Sequence, residues 1–165
     1  MDDRAVQARK QFVILVVDDD ENDRRLVKQA FSEEGDRHDF EVDLRQLRDG
    51  VELLEYLDHC TSKESPKGPM PNFILLDLNM PAMGGRETLQ KVKTHPACRR
   101  LPIIVFATSA EQGDVIECFH CGGSAFSMKP DNHETLRRAV STIVDYWLCS
   151  ARSPASPPFS CMGYG

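Results

Sequence analysis

With 165 residues and 41% hydrophobic content, the chain can bury one domain-sized core and has the composition of an ordinary globular protein. A formal charge of −6 argues against nucleic acid as the main partner, because phosphate recognition needs clustered Lys and Arg. No apolar run reaches the length of a membrane span, and residues 1–11 are polar and charged where a signal peptide would be apolar, so the expectation is a cytoplasmic protein whose six cysteines are reduced thiols.

Phe12 to Val17 is an unbroken apolar run, FVILVV, that ends in Asp18-Asp19-Asp20. Such a run fits a strand buried on both faces, as in a parallel sheet covered by helices. Residues 22–34 place Leu26, Val27, Ala30 and Phe31 on one helical face, and Gly35 suits the C-terminal cap. In residues 39–47, Phe40, Val42 and Leu44 alternate with polar positions, the pattern of a strand with one wetter face and hence of a sheet edge. Asp49-Gly50 is a turn, and a helix follows to about Cys60. Residues 61–72 carry three prolines and a glycine, a loop long enough to suggest a task or mobility.

The second fully apolar run is Phe73-Ile74-Leu75-Leu76, and Asp77 closes it. A carboxylate there would sit at the carboxyl rim of the sheet, where open α/β folds bind ligands. Met83-Gly84-Gly85 leads into a helix near 86–94 that stops before Pro96. Residues 102–106 (PIIVF) form a fourth strand, followed by Ala107-Thr108-Ser109; 111–121 read as a helix ended by Gly122-Gly123; 125–128 form a short fifth strand before Lys129-Pro130. Asp131 opens the last helix, with a periodic stripe of Leu136, Val140, Ile143, Val144, Trp147 and Leu148. From Ser150 the chain turns to Ser, Pro and Gly and cannot bury a core. The domain organisation is therefore a polar lead over 1–11, one domain over 12–149 and a tail over 150–165. Cys118 and Cys121 form a C-x-x-C pair, but no second pair at zinc spacing accompanies them.

Five strands alternating with five helices predict a single parallel sheet wrapped by helices with right-handed crossovers. A flavodoxin-like strand order, 2-1-3-4-5, makes 39–47 an edge and opens a crevice between the first and third strands. Asp18, Asp19 and Asp77 converge in that crevice. Like charges about 4 Å apart repel by about 1 kcal/mol in water and about 4 kcal/mol at an effective dielectric of 20, so the cluster suits a cation. Its hard oxygens fit Mg²⁺, which takes few carboxylates and usually a phosphate. Lys129, at the end of the fifth strand, can meet a phosphate oxygen as a point charge; otherwise it is a solvated surface lysine.

These stretches, VVDDD, LLDLNMP with GG after it, PIIVF, GGSAF and MKP, resemble the receiver domain of two-component response regulators over roughly residues 12–149. The resemblance implies that Asp77 accepts a phosphoryl group from a sensor histidine kinase. It implies that Asp19, Asp77 and the Asn79 carbonyl hold Mg²⁺, with Asp18 acting through water. Lys129 would contact the phosphoryl group, the Lys129-Pro130 bond would be cis, and Phe126 would be the aromatic that swings inward on activation. The loop 61–72 and the stretch 85–89 further resemble the single-domain regulators that partner bacterial phytochromes. One position departs. The family has Thr or Ser at the end of the fourth strand, and here that position is Ala107, with Thr108 following. Neighbouring strand residues face opposite ways, so Thr108 replaces the missing hydroxyl only if the strand end bends.

Haloacid-dehalogenase-type phosphatases carry an acidic residue two positions after the nucleophile; here that residue is Asn79, which cannot act as the acid. A receiver fold that docks or dimerises without a phosphorylation switch is the alternative that Ala107 favours. No output domain follows the last predicted helix, so a stand-alone regulator working through partners is expected. Tyr146, Trp147 and Leu148 on that helix, with Phe159, Met162 and Tyr164 on the proline-containing tail, point to a homodimer. In receivers generally, the face built from the fourth helix, fifth strand and fifth helix is the usual dimer surface.

Overall fold

The computed structural model describes residues 9–150. Its five strands, β1 (Lys10–Val17), β2 (Phe40–Leu47), β3 (Phe73–Leu76), β4 (Ile103–Ala107) and β5 (Ala125–Met128), form one parallel sheet in the order β2-β1-β3-β4-β5. The helices are α1 (Glu21–His38), α2 (Gly50–Thr61), α3 (Gly85–Thr94), α4 (Gln112–His120) and α5 (His133–Val144), and α5 continues into a π-helical turn, Asp145–Ser150. This is the flavodoxin-like order, with β2 at one edge and β1 beside β3.

The apolar runs go to the centre because both faces of the sheet are covered. Side chains alternate between two cores. Ile14, Val16, Phe73, Leu75, Ile104 and Phe106 meet α1 and α5 on one face; Leu15, Val17, Ile74, Leu76, Ile103, Val105 and Ala107 meet α2, α3 and α4 on the other. Ile74 and Leu76 have no exposed surface, and truncating either to Ala should cost about 2–5 kcal/mol.

Several boundaries differ from expectation, each for a physical reason. β1 begins at Lys10, ahead of Phe12, because Lys10 and Gln11 pair with Phe40 and Glu41. Helix α1 runs past Gly35 to His38 and is capped by Asp39 in the left-handed region at φ 58. Gly35 is buried inside the helix, where a Cβ would stand 2.9 Å from the Phe40 carbonyl oxygen. Its role is close approach of backbone to backbone rather than termination. The cap of α5 is Asn132, one residue later than Asp131, and its Oδ1 accepts from the Thr135 N–H at 2.9 Å.

The loop before β3 is tied down. Tyr56 Oη donates to the Pro69 carbonyl at 2.8 Å, Lys67 N–H donates to the His59 carbonyl at 2.9 Å, and Asn72 exchanges two bonds with Val13, at 2.7 and 2.8 Å. On the last helix, Leu148 is buried and Trp147 packs against the chain's own core, which leaves Tyr146 as the outward aromatic, 58% exposed. The tail residues named above, Phe159, Met162 and Tyr164, lie outside the described residues.

Candidate functional site

Parallel strands deliver their carboxyl ends to one rim, so the residues after β1, β3 and β5 meet there. Asp18, Asp19 and Asp77 each offer a carboxylate oxygen, and these oxygens lie within 4.8 Å of one another. Asp18 and Asp77 are buried, 4% and 5% exposed, while Asp19 faces solvent. Both buried side chains are held by the turns that follow them: the Asp20 N–H donates to Asp18 Oδ1 at 3.0 Å, and the Asn79 N–H donates to Asp77 Oδ1 at 3.1 Å.

Lys129 closes the cluster. Its Nζ stands 2.6 Å from Asp18 Oδ2, 2.9 Å from Asp23 Oδ2 and 3.2 Å from Asp77 Oδ2. The Lys129 N–H donates to the Ala107 carbonyl at 2.7 Å, which fixes the lysine backbone against the end of β4. Burial alone would lower its pKa, but hydrogen bonds to Asp18 and Asp23 and the charges of Asp18 and Asp77 outweigh burial and hold it above the ordinary lysine range. Burial raises the pKa of Asp18, opposed by Lys129 and the Asp20 N–H. Burial likewise raises that of Asp77, opposed by the Asn79 N–H and Lys129, with the Asp19 charge adding to the rise. Three carboxylates beside one lysine leave net negative charge at the rim, the electrostatic condition for a divalent cation.

Two residues that the sequence reading did not single out belong here. Asp23 occupies the first turn of α1 and takes one bond of Lys129. Arg24 is buried on the next position, and its Nη1 donates to the Asp18 carbonyl at 2.6 Å. The only sequence signal was their place one turn after the acidic triplet, with Asp20 as N-cap, its Oδ1 accepting from the Asp23 N–H at 3.0 Å.

The loop after Asp77 owes its shape to one of its two glycines. A Cβ on Gly85 would fall 2.2 Å from the Asp77 carbonyl oxygen, whereas one on Gly84 would meet nothing within 4 Å. Gly85 therefore lets α3 start against the backbone of Asp77. In the same loop Ala82 adopts φ 63, a left-handed conformation that costs a non-glycine residue about 1–2 kcal/mol.

The positions expected to act as a switch divide as strand alternation requires. Ala107 is 1% exposed and packs in the core facing α3, with Phe126 half-buried against that core. It also lines a cleft of about 300 Å³ with Leu78, Asn79, Arg86 and Asp114. Thr108 turns to the opposite side, into a cavity of about 390 Å³ shared with Asp18, Asp23, Phe106 and Lys129. Its Oγ1 nonetheless accepts a long bond, 3.4 Å, from Asn79 Nδ2. The expected cis Lys129-Pro130 bond is not found; no peptide bond among the described residues is cis. Cys118 of the C-x-x-C pair is a core residue, and burial pushes its thiol up to about 11.

Comparison with known proteins agrees with this geometry. The response regulator receiver domain family matches residues 14–141. Response regulator Rcp1 of Synechocystis sp. is 34% identical over 144 residues, covering 87% of this chain and 94% of Rcp1. The crystal structure of the Mn²⁺-bound form of Rcp1 superposes with a TM-score of 0.75, over 87% of this chain and 99% of that one. The phosphorylated cyanobacterial phytochrome response regulator RcpA superposes with a TM-score of 0.76 at 32% identity, over 89% of this chain and 99% of that one. The chain belongs to the response-regulator receiver family of two-component signalling, whose members take a phosphoryl group from a sensor histidine kinase.

Proposed function

We propose that Asp77 is the phosphoacceptor of this regulator and that its donor is a histidine kinase of the phytochrome class. The observation that carries the reading is the lysine bridge: one half-buried ammonium, Lys129, binds Asp18, Asp23 and Asp77 at 2.6, 2.9 and 3.2 Å. In the transfer, an Asp77 oxygen forms a bond to phosphorus as the phosphohistidine nitrogen–phosphorus bond breaks, and the imidazole leaves with the electron pair and takes up a proton. Lys129 neutralises part of the charge on the phosphoryl oxygens, so the work is mostly positioning and electrostatics. The first-turn Asp23 and the buried Arg24 hold the lysine and the Asp18 backbone in place.

The residues fit Mg²⁺, because the donors that converge are carboxylate oxygens. Asp19, Asp77 and the Asn79 carbonyl would hold it, with Asp18 acting through water. When bound, the ion supplies positive charge against the phosphoryl oxygens. The resulting acyl phosphate is hydrolysed in the same pocket, so the protein takes part in its own dephosphorylation without turning over an external substrate. Such a role places it in the cytoplasm beside its kinase. The net charge of −6 supports a protein partner over nucleic acid, and residues 12–149 would carry the whole phosphoacceptor function. The phytochrome assignment rests on similarity to the cyanobacterial phytochrome response regulator RcpA.

Ala107 supports a second reading, a receiver that docks or dimerises without a phosphorylation switch. One experiment separates the two. Radiolabelled phosphotransfer from a phytochrome-class kinase, with Mg²⁺, should label wild type and leave Asp77→Asn unlabelled. Equal labelling of both proteins would remove Asp77 from the role, and labelling of neither, with acetyl phosphate also inert, would favour the docking module.

A further inference from the structure

The end of α1 and the π-helical turn after α5 bring a different donor set together, about a helix length away in sequence from anything at the acidic pocket. His38 Nε2 lies 3.4 Å from Asp145 Oδ1 and 3.4 Å from Glu34 Oε2. Cys149 joins them: one ligand atom each from His38, Asp145 and Cys149 lie within 4.8 Å of one another. Each element contributes an i, i+4 pair, Glu34 with His38 and Asp145 with Cys149, the spacing that puts two helical side chains on one face. The imidazole is set by stacking on Phe40, with ring centroids 5.6 Å apart and planes 12° from parallel.

Two atoms in this group are buried and lack hydrogen-bond geometry. His38 Nε2 and Glu34 Oε2 are fully buried and make no hydrogen bond among the described residues, and Glu34 as a residue is only 8% exposed. Arg37 reaches the other carboxylate oxygen, Oε1, at 3.5 Å, which leaves Oε2 facing the imidazole. The contacts these atoms make are ionic, His38 Nε2 with Glu34 Oε2 and with Asp145 Oδ1, and an ion among the donors would satisfy them directly. A tetrahedral ion with bonds of about 2.0–2.3 Å to N, O and S spaces its ligands about 3.3–3.6 Å apart. The two 3.4 Å separations around His38 Nε2 match that edge.

We propose that His38, Asp145 and Cys149 form a further metal site, for a borderline dication of the zinc class, with Glu34 beside the imidazole. The donor chemistry distinguishes it from the phosphoacceptor pocket. All-oxygen carboxylates select Mg²⁺ or Mn²⁺, whereas one imidazole and one thiolate select zinc-like ions. The site joins α1 to the last turn before residue 151, so its occupant fixes where the chain leaves the domain.

Cobalt(II) is the probe, because a thiolate-bound cobalt ion shows a sulfur-to-metal charge-transfer band. Chelator-stripped full-length protein should bind one cobalt ion with that band, and the double variant Asp18→Asn/Asp19→Asn, which silences the acidic pocket, should keep it. Cys149→Ser, at an exposed position, should lose the band and bind Zn²⁺ at least about 100-fold more weakly, since even outer-shell partners of a metal are worth 10–100-fold. His38→Gln should weaken Zn²⁺ similarly. If that variant does not fold, Cys149→Ser alone decides. A band that survives Cys149→Ser, or Zn²⁺ binding that disappears with the acidic pocket, overturns the proposal and leaves His38 as a side chain held between two carboxylates.

Discussion

At the scale of single residues, the site is a conflict between burial and charge. Asp18 and Asp77 are buried next to one lysine already shared three ways, and Asp19 adds a third like charge within 4.8 Å. In the metal-free protein, Asp19→Asn should therefore raise the melting temperature. Removing repulsion of about 1 kcal/mol corresponds to roughly 2–4 °C for a domain of this size, while Mg²⁺ affinity should fall; a lower melting temperature in EDTA would count against the cluster. The pH dependence has a definite sign. The pKa values of Asp18 and Asp77 are raised above the ordinary 3.8, so the folded state holds protons that the unfolded chain has lost. Metal-free stability should then fall as pH rises from 3.8 through the raised values, and the loss is complete above them. In Asp77→Asn the fall should be shallower. Ala107 sets a second residue-scale test. It borders a cleft beside Asn79 and Arg86, so Ala107→Thr returns a hydroxyl to the end of β4 at the edge of that cleft. The change in NMR spectrum on binding beryllofluoride, a phosphoryl stand-in, should be larger in Ala107→Thr than in wild type; an equal response would mean that Thr108 already supplies the switch. Asp18 and Asp77 were legible in the sequence because each ends an apolar run, and Lys129 because it ends the fifth strand just before Pro130; strand ends of a parallel sheet share a rim. Asp23 and Arg24 were not, because the reach of a helical side chain depends on how α1 docks, which no local pattern records.

Among the helices, α4 is the least anchored. Cys118 is its one buried residue, whereas α1 buries six. What holds α4 to α3 from outside is Arg86, which pairs with Asp114 and, at 2.9 Å, with Glu117. That clamp borders the cleft of Ala107, so it lies where a signal from Asp77 would reach α4. Half-exposed ion pairs are worth about 0.2–1 kcal/mol, so Arg86→Ala should speed amide exchange in α4 by up to about fivefold and leave α1 unchanged. Unaltered α4 protection would show that packing around Cys118 suffices. Element types were readable from periodicity, since two cores impose continuous apolar runs on central strands and alternation on β2. Element ends were less so. Gly35 has the composition of a cap, yet its position under the Phe40 carbonyl is a fact of how β2 returns beside α1. The Lys129-Pro130 isomer carried over by resemblance did not transfer either, since no pattern within this chain specifies it.

At the scale of the whole molecule, the order of strands followed from strict alternation of strand and helix, because right-handed crossovers leave few other arrangements. Assembly does not follow in that way: it depends on surface left over after the core is packed. We propose a homodimer through the face of α4, β5 and α5 together with the last helix and residues 150–165. The support is residual apolar exposure. Ile116 and Phe119 on α4, Met128 on β5 and Tyr146 beyond α5 are 48%, 49%, 55% and 58% exposed, and a lone monomer gains nothing from placing four large apolar side chains in water. Trp147 and Leu148, candidates for the same interface by composition, are instead used by the chain's own core, so the burden shifts toward α4 and β5. Two-fold symmetry would set each patch against its copy. Sedimentation equilibrium at micromolar concentration should report a dimer for the full chain. Ile116→Ser/Phe119→Ser should weaken it at least about tenfold, since losing apolar anchors of this size at an interface costs more than about 1.4 kcal/mol. Truncation after Ser150 asks how much residues 151–165 add: weaker association assigns them a share, and unchanged association confines the contact to α4, β5 and α5. A monomeric full-length protein under these conditions, both with and without beryllofluoride, would sink the dimer.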